Sequence, residues 1–155
     1  MPLSNLNDLE LALRIDSRPA SNLQPKVQTL PKKVLYIEDN PDNAEVVRRA
    51  LQRNYTVLYA PDGLTGLSLA ERQAPDLILL DIHLPDVDGF EVAHRLREMT
   101  NRRKRHIPII ALTGDVTAEM RLRVQQAGFD FYLTKPVEFS ELWKRLGDHL
   151  SAFTD

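Results

Sequence analysis

The sequence predicts an α/β fold, a doubly wound parallel sheet with helices on both faces. Three observations predict it. From residue 32 onward, short apolar runs alternate with segments whose apolar residues recur at helical spacing, five of each. The run 77–80, Leu-Ile-Leu-Leu, carries no polar residue, as a central strand covered on both faces requires. Acidic, hydroxyl and lysine side chains stand at the ends of the apolar runs, not in their bodies. The alternation implies right-handed crossovers between neighbouring strands.

Each element has its own justification. Residues 34–37 make a short apolar strand that ends in acids. Ala44, Val47 and Leu51 mark the first helix, with Pro41 near its first turn, where a missing N–H costs nothing. Residues 56–59 form the second strand, and Leu64, Leu67 and Ala70 mark the second helix. The third strand, 77–80, is followed by a helix marked by Phe90, Ala93 and Leu96. Residues 109–112 are the fourth strand. Met120, Val124 and Ala127 mark the fourth helix, and Gly128 is placed to end it. Residues 131–133 are the fifth strand, and Phe139, Leu142, Leu146 and Leu150 mark the last helix.

Ahead of this pattern lies an arm. Leu6, Leu9 and Leu13 repeat at helical spacing, which predicts a short amphipathic helix over 5–16. A helix this short is marginal alone in water and needs a surface. Residues 17–31 are proline-punctuated and read as an extended linker. The expected division is an arm over 1–31, a folded domain over 32–150 and a tail over 151–155.

Composition excludes several classes. A chain of 155 residues, 43% hydrophobic and 27% charged, can bury a core and is not disordered. It has no cysteine, so thiolate catalysis, disulfides and Cys-ligated metals are excluded. A net charge of −2 is not a nucleic-acid footprint over the whole chain. No apolar run reaches the roughly 20 residues of a membrane span. The N-terminus lacks a secretory pattern, and a cytoplasmic location is expected. The basic run 101–106, Asn-Arg-Arg-Lys-Arg-His, reads as a solvated loop, with an acidic partner surface as the next reading.

In doubly wound sheets, ligands bind beyond the carboxyl ends of the strands. There the first strand presents Glu38 and Asp39, the third Asp81, the fourth Thr113 and Gly114, and the fifth Lys135 and Pro136. Clustered carboxylates need a counter-charge or a raised pKa. Oxygen ligands suit a hard cation, and Mg²⁺ pairs one or two carboxylates with several waters. Mg²⁺, a lysine and a hydroxyl together would hold a phosphoryl group. A carboxylate can itself act as the nucleophile.

Ile37-Glu38-Asp39, Leu80-Asp81 with Pro85 and Gly89 after it, Thr113-Gly114 and Lys135-Pro136 resemble the receiver domain of two-component response regulators, over about 32–150. The resemblance implies a (βα)5 fold with the flavodoxin-like strand order 2-1-3-4-5. It implies that Asp81 is the phospho-acceptor. Glu38, Asp39, Asp81 and the backbone carbonyl of His83 would hold Mg²⁺, with no other cofactor. Thr113 would bond one phosphoryl oxygen and Lys135 would pair with another. Thr113 and Tyr132 would form the switch, and the Lys135–Pro136 bond would be cis. His83 and Asp115 would tune dephosphorylation.

The function so implied is that of a single-domain response regulator. It would accept phosphate from a sensor histidine kinase or histidine phosphotransfer protein and switch a protein-contact surface. That surface is expected on the fourth helix, fifth strand and fifth helix, where Phe131, Tyr132, Phe139 and Trp143 supply aromatics. Only a few residues follow the last helix, so a complete chain would signal by protein contact alone. A homodimer through that face or through the arm is a further expectation. Nucleic acid and membrane are not expected partners. Such a protein catalyses only its own phosphorylation and dephosphorylation and is not a conventional enzyme. Two alternatives stay open. One is a receiver cut from a hybrid kinase or larger regulator. The other is a flavodoxin-like cofactor protein, against which the acidic loop 38–42 argues, because it would repel a phosphate.

Overall fold

The computed structural model describes residues 30–99 and 106–151. The expected arm helix, the linker as far as residue 29, residues 100–105 and the tail beyond 151 lie outside the described residues. The strands are β1 (Lys33–Ile37), β2 (Thr56–Ala60), β3 (Leu77–Asp81), β4 (Ile109–Thr113) and β5 (Phe131–Thr134). The helices are α1 (Pro41–Leu51), α2 (Gly63–Gln73), α3 (Gly89–Arg97), α4 (Ala118–Gln126) and α5 (Phe139–Ser151). The sheet runs β2-β1-β3-β4-β5 with every pairing parallel, which is the expected order.

Alternation along the strands divides the core in two. Val34, Tyr36, Leu77, Leu79, Ile110 and Leu112 face α1 and α5, where Val47, Leu51, Leu142 and Leu146 cover them. Leu35, Ile37, Ile78, Leu80, Ile109 and Ala111 face α2, α3 and α4, where Ala70, Val92, Leu96 and Val124 cover them. Every residue of β3 and β4 is buried, as the all-apolar run required. Each aliphatic side chain so covered contributes roughly 1.5–3 kcal/mol.

Two details differ from the periodicity. Leu64 is exposed although it sits in the apolar pattern of α2; Gly63, Gly66 and Ala70 form the buried face there. Asp81, Thr113 and Thr134 are the last residues of their strands, not the first after them. Parallel pairing extends one residue further than the apolar runs because the ladder uses the backbone, whatever the side chain.

The starts of α1 to α4 carry side-chain caps. Asn40 accepts from the N–H groups of Asp42 and Asn43, and Asp62 from Thr65. Asp88 accepts from Glu91, and Thr117 from Met120. Each cap is worth about 1 kcal/mol. Gly128, at φ +91°, ends α4 in the left-handed region, as its position suggested.

Arg97 holds the opposite end of the sheet from these caps. Its guanidinium donates to the carbonyls of Ile107 at 2.7 Å and Gly128 at 2.8 Å, and to Asp130 Oδ2 at 2.8 Å. The same carboxylate oxygen accepts the N–H of Ile109 at 2.8 Å. One planar fork thus joins the C-terminus of α3 to the starts of β4 and β5. Arg97→Met is expected to cost about 2 kcal/mol of unfolding free energy, through acceptors left unpaired. Urea unfolding measures this, and an unchanged midpoint would sink the idea.

Candidate functional site

Register brings the strand-end residues together. Ile37 pairs with Leu80, so Glu38 and Asp81, the next residues, emerge side by side. Asp81 pairs with Leu112 and Thr113 with Thr134, which brings Thr113 and Lys135 to the same rim. Carboxylate oxygens of Glu38, Asp39 and Asp81 lie within 4.8 Å of one another. Glu38 and Asp81 are buried and Asp39 is exposed, so the cluster opens to solvent on one side.

Lys135 supplies the local counter-charge. Its Nζ donates to Glu38 Oε2 and to Asp81 Oδ2, each at 2.8 Å. Desolvation pulls its pKa down, but the bonds to Asp81 and Glu38 outweigh that and raise it. The Lys135–Pro136 bond is cis, as expected. Asp81 Oδ1 accepts the N–H of His83 at 3.0 Å, and Asn40 N–H reaches Glu38 Oε1 at 3.2 Å. Tyr59 donates its hydroxyl to the Glu38 carbonyl at 2.7 Å. All-oxygen donors with one open side fit a hard cation such as Mg²⁺.

Thr113 is buried, and its Oγ1 accepts the N–H of Asp115 at 3.0 Å. The Asp115 carboxylate in turn accepts the N–H of Thr117 at 2.9 Å. Hydrogen bonds from the Thr117 backbone and hydroxyl, with a smaller contribution from the charge of His83, hold the Asp115 pKa below the usual range. His83 is exposed at the mouth of the site. Tyr132 is half-buried, stacked on Phe131 with ring centroids 5.9 Å apart, and lies under the Arg121 guanidinium at 5.8 Å.

A family model for the response regulator receiver domain matches residues 34–147. The chain belongs to the response regulator receiver family. The polar-differentiation response regulator DivK of Brucella anthropi is 34% identical over 122 residues, covering 78% of this chain and 98% of that protein. The sensor histidine kinase TmoS of Ectopseudomonas mendocina is 32% identical over 146 residues, 94% of this chain but 15% of that protein. Among solved structures, the receiver domain of the sensor histidine kinase PA1611 from Pseudomonas aeruginosa superposes with a TM-score of 0.72 at 35% identity, covering 78% of this chain and 98% of that one. It was solved with a magnesium ion coordinated in its active-site cleft. Receiver domains are signalling modules that switch on phosphorylation, bind Mg²⁺ at an acidic pocket and interact with histidine kinases and phosphotransfer proteins. The family match decides against the flavodoxin-like cofactor reading. No helix among the described residues is long and apolar enough to cross a membrane.

One further residue, Asp86, was not announced by this receiver's sequence. Asp86, just past Pro85, accepts the N–H groups of Gly63 and Leu64, each at 2.9 Å. It ties the β3–α3 loop to the start of α2, although the two are more than twenty residues apart in sequence. Only an alternation of short-range caps is visible from spacing. Slight desolvation would raise the Asp86 pKa, but the N–H groups of Leu64, Gly63 and Val87 outweigh it and lower it. A lowered carboxyl pKa adds stability above the ordinary value, about 3.9, and that contribution is lost as pH falls through the lowered one. The amide shifts of Gly63 and Leu64 are therefore expected to titrate with a midpoint below about 3.9. A midpoint above that value would show that the clamp does not favour the ionised form.

The aromatics of the last elements also divide. Phe131 and Tyr132 line the groove between β5 and α5, with the Arg145 guanidinium 3.6 Å from the Phe131 ring centroid. Phe139 instead lines a cleft with Tyr36, Val46 and Lys135, and Trp143 stacks on Tyr55. Phe139 thus faces α1, and Trp143 faces the turn between α1 and β2.

Proposed function

We propose that this chain is a single-domain response regulator whose phospho-acceptor is Asp81. The observation that carries the reading is the placement of Asp81 at the end of β3, within 4.8 Å of two further carboxylates and 2.8 Å from the Lys135 ammonium. A carboxylate oxygen of Asp81 attacks the phosphorus of a phosphohistidine on a sensor kinase or phosphotransfer protein. The P–N bond breaks, the imidazole leaves and takes up a proton, and an acyl phosphate remains on Asp81. Glu38, Asp39, Asp81 and the His83 carbonyl would hold Mg²⁺, which when bound neutralises charge on the phosphoryl oxygens. Lys135 pairs with one of those oxygens and Thr113 donates its hydroxyl to another. For that, Thr113 Oγ1 turns its proton toward the phosphoryl group while still accepting from Asp115.

Reorientation of Thr113 is linked to Tyr132, and the surface of α4, β5 and α5 is the output face, with Phe131, Tyr132 and the exposed Leu122 on it. A second copy of the chain on that face is a further assembly we assign to it, with the arm over 1–31 as the other candidate contact. His83 and Asp115 tune dephosphorylation. The domain spans 32–150 and works in the cytoplasm, catalysing no reaction but its own phosphorylation and dephosphorylation.

Intact mass after incubation with acetyl phosphate tests the reading. One added phosphoryl group is expected with Mg²⁺, none without it and none in Asp81→Asn. Modification of Asp81→Asn to the same extent would remove Asp81 from the role. A second reading, a receiver from a hybrid sensor kinase, is favoured by the TmoS match, which covers 94% of this chain. The length of the open reading frame decides between the two.

A further inference from the structure

We propose that Tyr36 is a positioning residue for the cation site, holding the Glu38 carboxylate through its phenol hydroxyl. This rests on the reading that Glu38 helps to hold Mg²⁺. Tyr36 and Glu38 stand two residues apart along one strand direction, so their side chains leave the same face. Both are 1% exposed, and the Tyr36 hydroxyl donates to Glu38 Oε2 at 3.2 Å. The Tyr36 ring lies in the apolar cluster with Val47 and Leu79. A buried phenol there is costly unless its hydroxyl finds an acceptor. Glu38 is that acceptor.

The need for Tyr36 follows from side-chain length. Glutamate has one more rotatable bond than aspartate, so the backbone fixes its carboxylate less. Here Oε2 is fixed by Tyr36 and Lys135, and Oε1 by the Asn40 N–H. Lys135 is shared with Asp81 and is drawn to the phosphoryl group once that arrives. Asn40 is exposed and also caps α1. Tyr36 is the buried donor that stays on Glu38 throughout. A donor fixed on a metal-binding carboxylate sets its orientation, and losing one typically weakens metal binding about 10–100-fold.

The test is a MgCl₂ titration of the ¹⁵N-labelled full chain, followed by the amide signals of Asn40 and His83. These N–H groups donate to Glu38 Oε1 and Asp81 Oδ1, so they report on both carboxylates. The proteins are wild type, Tyr36→Phe, Glu38→Asp and the double variant. Tyr36→Phe keeps the ring and removes only the hydroxyl. Its Kd for Mg²⁺ is expected to rise about tenfold, and its Asn40 amide to shift before any Mg²⁺ is added. In the Glu38→Asp background the shorter carboxylate withdraws from the hydroxyl. There Tyr36→Phe is expected to add less than about twofold. Equal Kd values for wild type and Tyr36→Phe would overturn the proposal and leave the Mg²⁺ reading standing. So would effects of the two substitutions that simply multiply, or a loss of stability with no change in Kd. If the wild-type chain gives no saturable response to Mg²⁺, the Mg²⁺ reading fails and the proposal falls with it.

Discussion

Lys135→Ala is expected to slow phosphorylation by acetyl phosphate about 100-fold if, as proposed, its fixed charge pairs with the phosphoryl oxygens. The same substitution should destabilise the Mg²⁺-free protein by about 2 kcal/mol. Breaking a buried ion pair costs about 3–5 kcal/mol, and the value is reduced here because the Lys135 side chain is 25% exposed. The larger point is the sign of the Mg²⁺ effect. Without the ammonium, Glu38 and Asp81 face each other with no counter-charge among the described residues within hydrogen-bond reach. A divalent cation would then supply what the lysine supplied. Mg²⁺ should therefore stabilise Lys135→Ala more than it stabilises the wild type. Urea unfolding with and without Mg²⁺ measures the difference. If Mg²⁺ stabilises both proteins equally, Lys135 is not the counter-charge of the carboxylate cluster.

Gly89→Ala is expected to cost about 3 kcal/mol and to slow phosphorylation as well. Overpacking a tight site typically costs about 1–3 kcal/mol; the upper end applies because the obstacles here are backbone. A Cβ at position 89 would lie 2.6 Å from Ile82 Cα and 2.7 Å from the Asp81 carbonyl oxygen. The Gly89 N–H also donates to the Ile82 carbonyl at 2.8 Å, which closes the loop after β3. To admit a methyl group, that loop must shift, and it carries His83 beside the site. Gly114→Ala is the matched control, since a Cβ there meets nothing within 4 Å. Thermal unfolding and phosphorylation rates for the two variants test this together. Equal stability in both would mean that the loop yields at little cost.

The fold was readable because its determinants are local. Apolar runs such as 77–80 report burial on both faces, and helical spacing reports the helices between them. Strand-end chemistry at Glu38, Asp81, Thr113 and Lys135 was readable for a related reason, as polar residues interrupt apolar runs only at their ends. The polar contacts between distant segments were not readable. Lys135 and Glu38 meet across ninety-seven positions. Spacing gives no sign that Asp86 reaches the start of α2 or that Arg97 reaches the starts of β4 and β5. Tyr36 lies within the apolar run 34–37, and periodicity counts its ring but is blind to its hydroxyl. Phe139 and Trp143 were assigned to the output surface by their position in the chain. Their direction depends on how α5 is rotated against the sheet, which spacing does not fix.

The capped helix starts have a consequence for selectivity. In a (βα)5 sheet the helices begin on the same rim as the acidic cluster, and a bare helix start attracts phosphate and sulfate through its free N–H groups. On this rim the starts of α1 to α4 are already occupied by Asn40, Asp62, Asp86, Asp88 and Thr117. Three of these caps are aspartates, which would turn a passing anion away. A free anion in solution therefore finds these four helix starts closed, while the Lys135 ammonium stands on the same rim near Thr113. Abundant cellular phosphates are therefore expected to compete poorly for these helix starts.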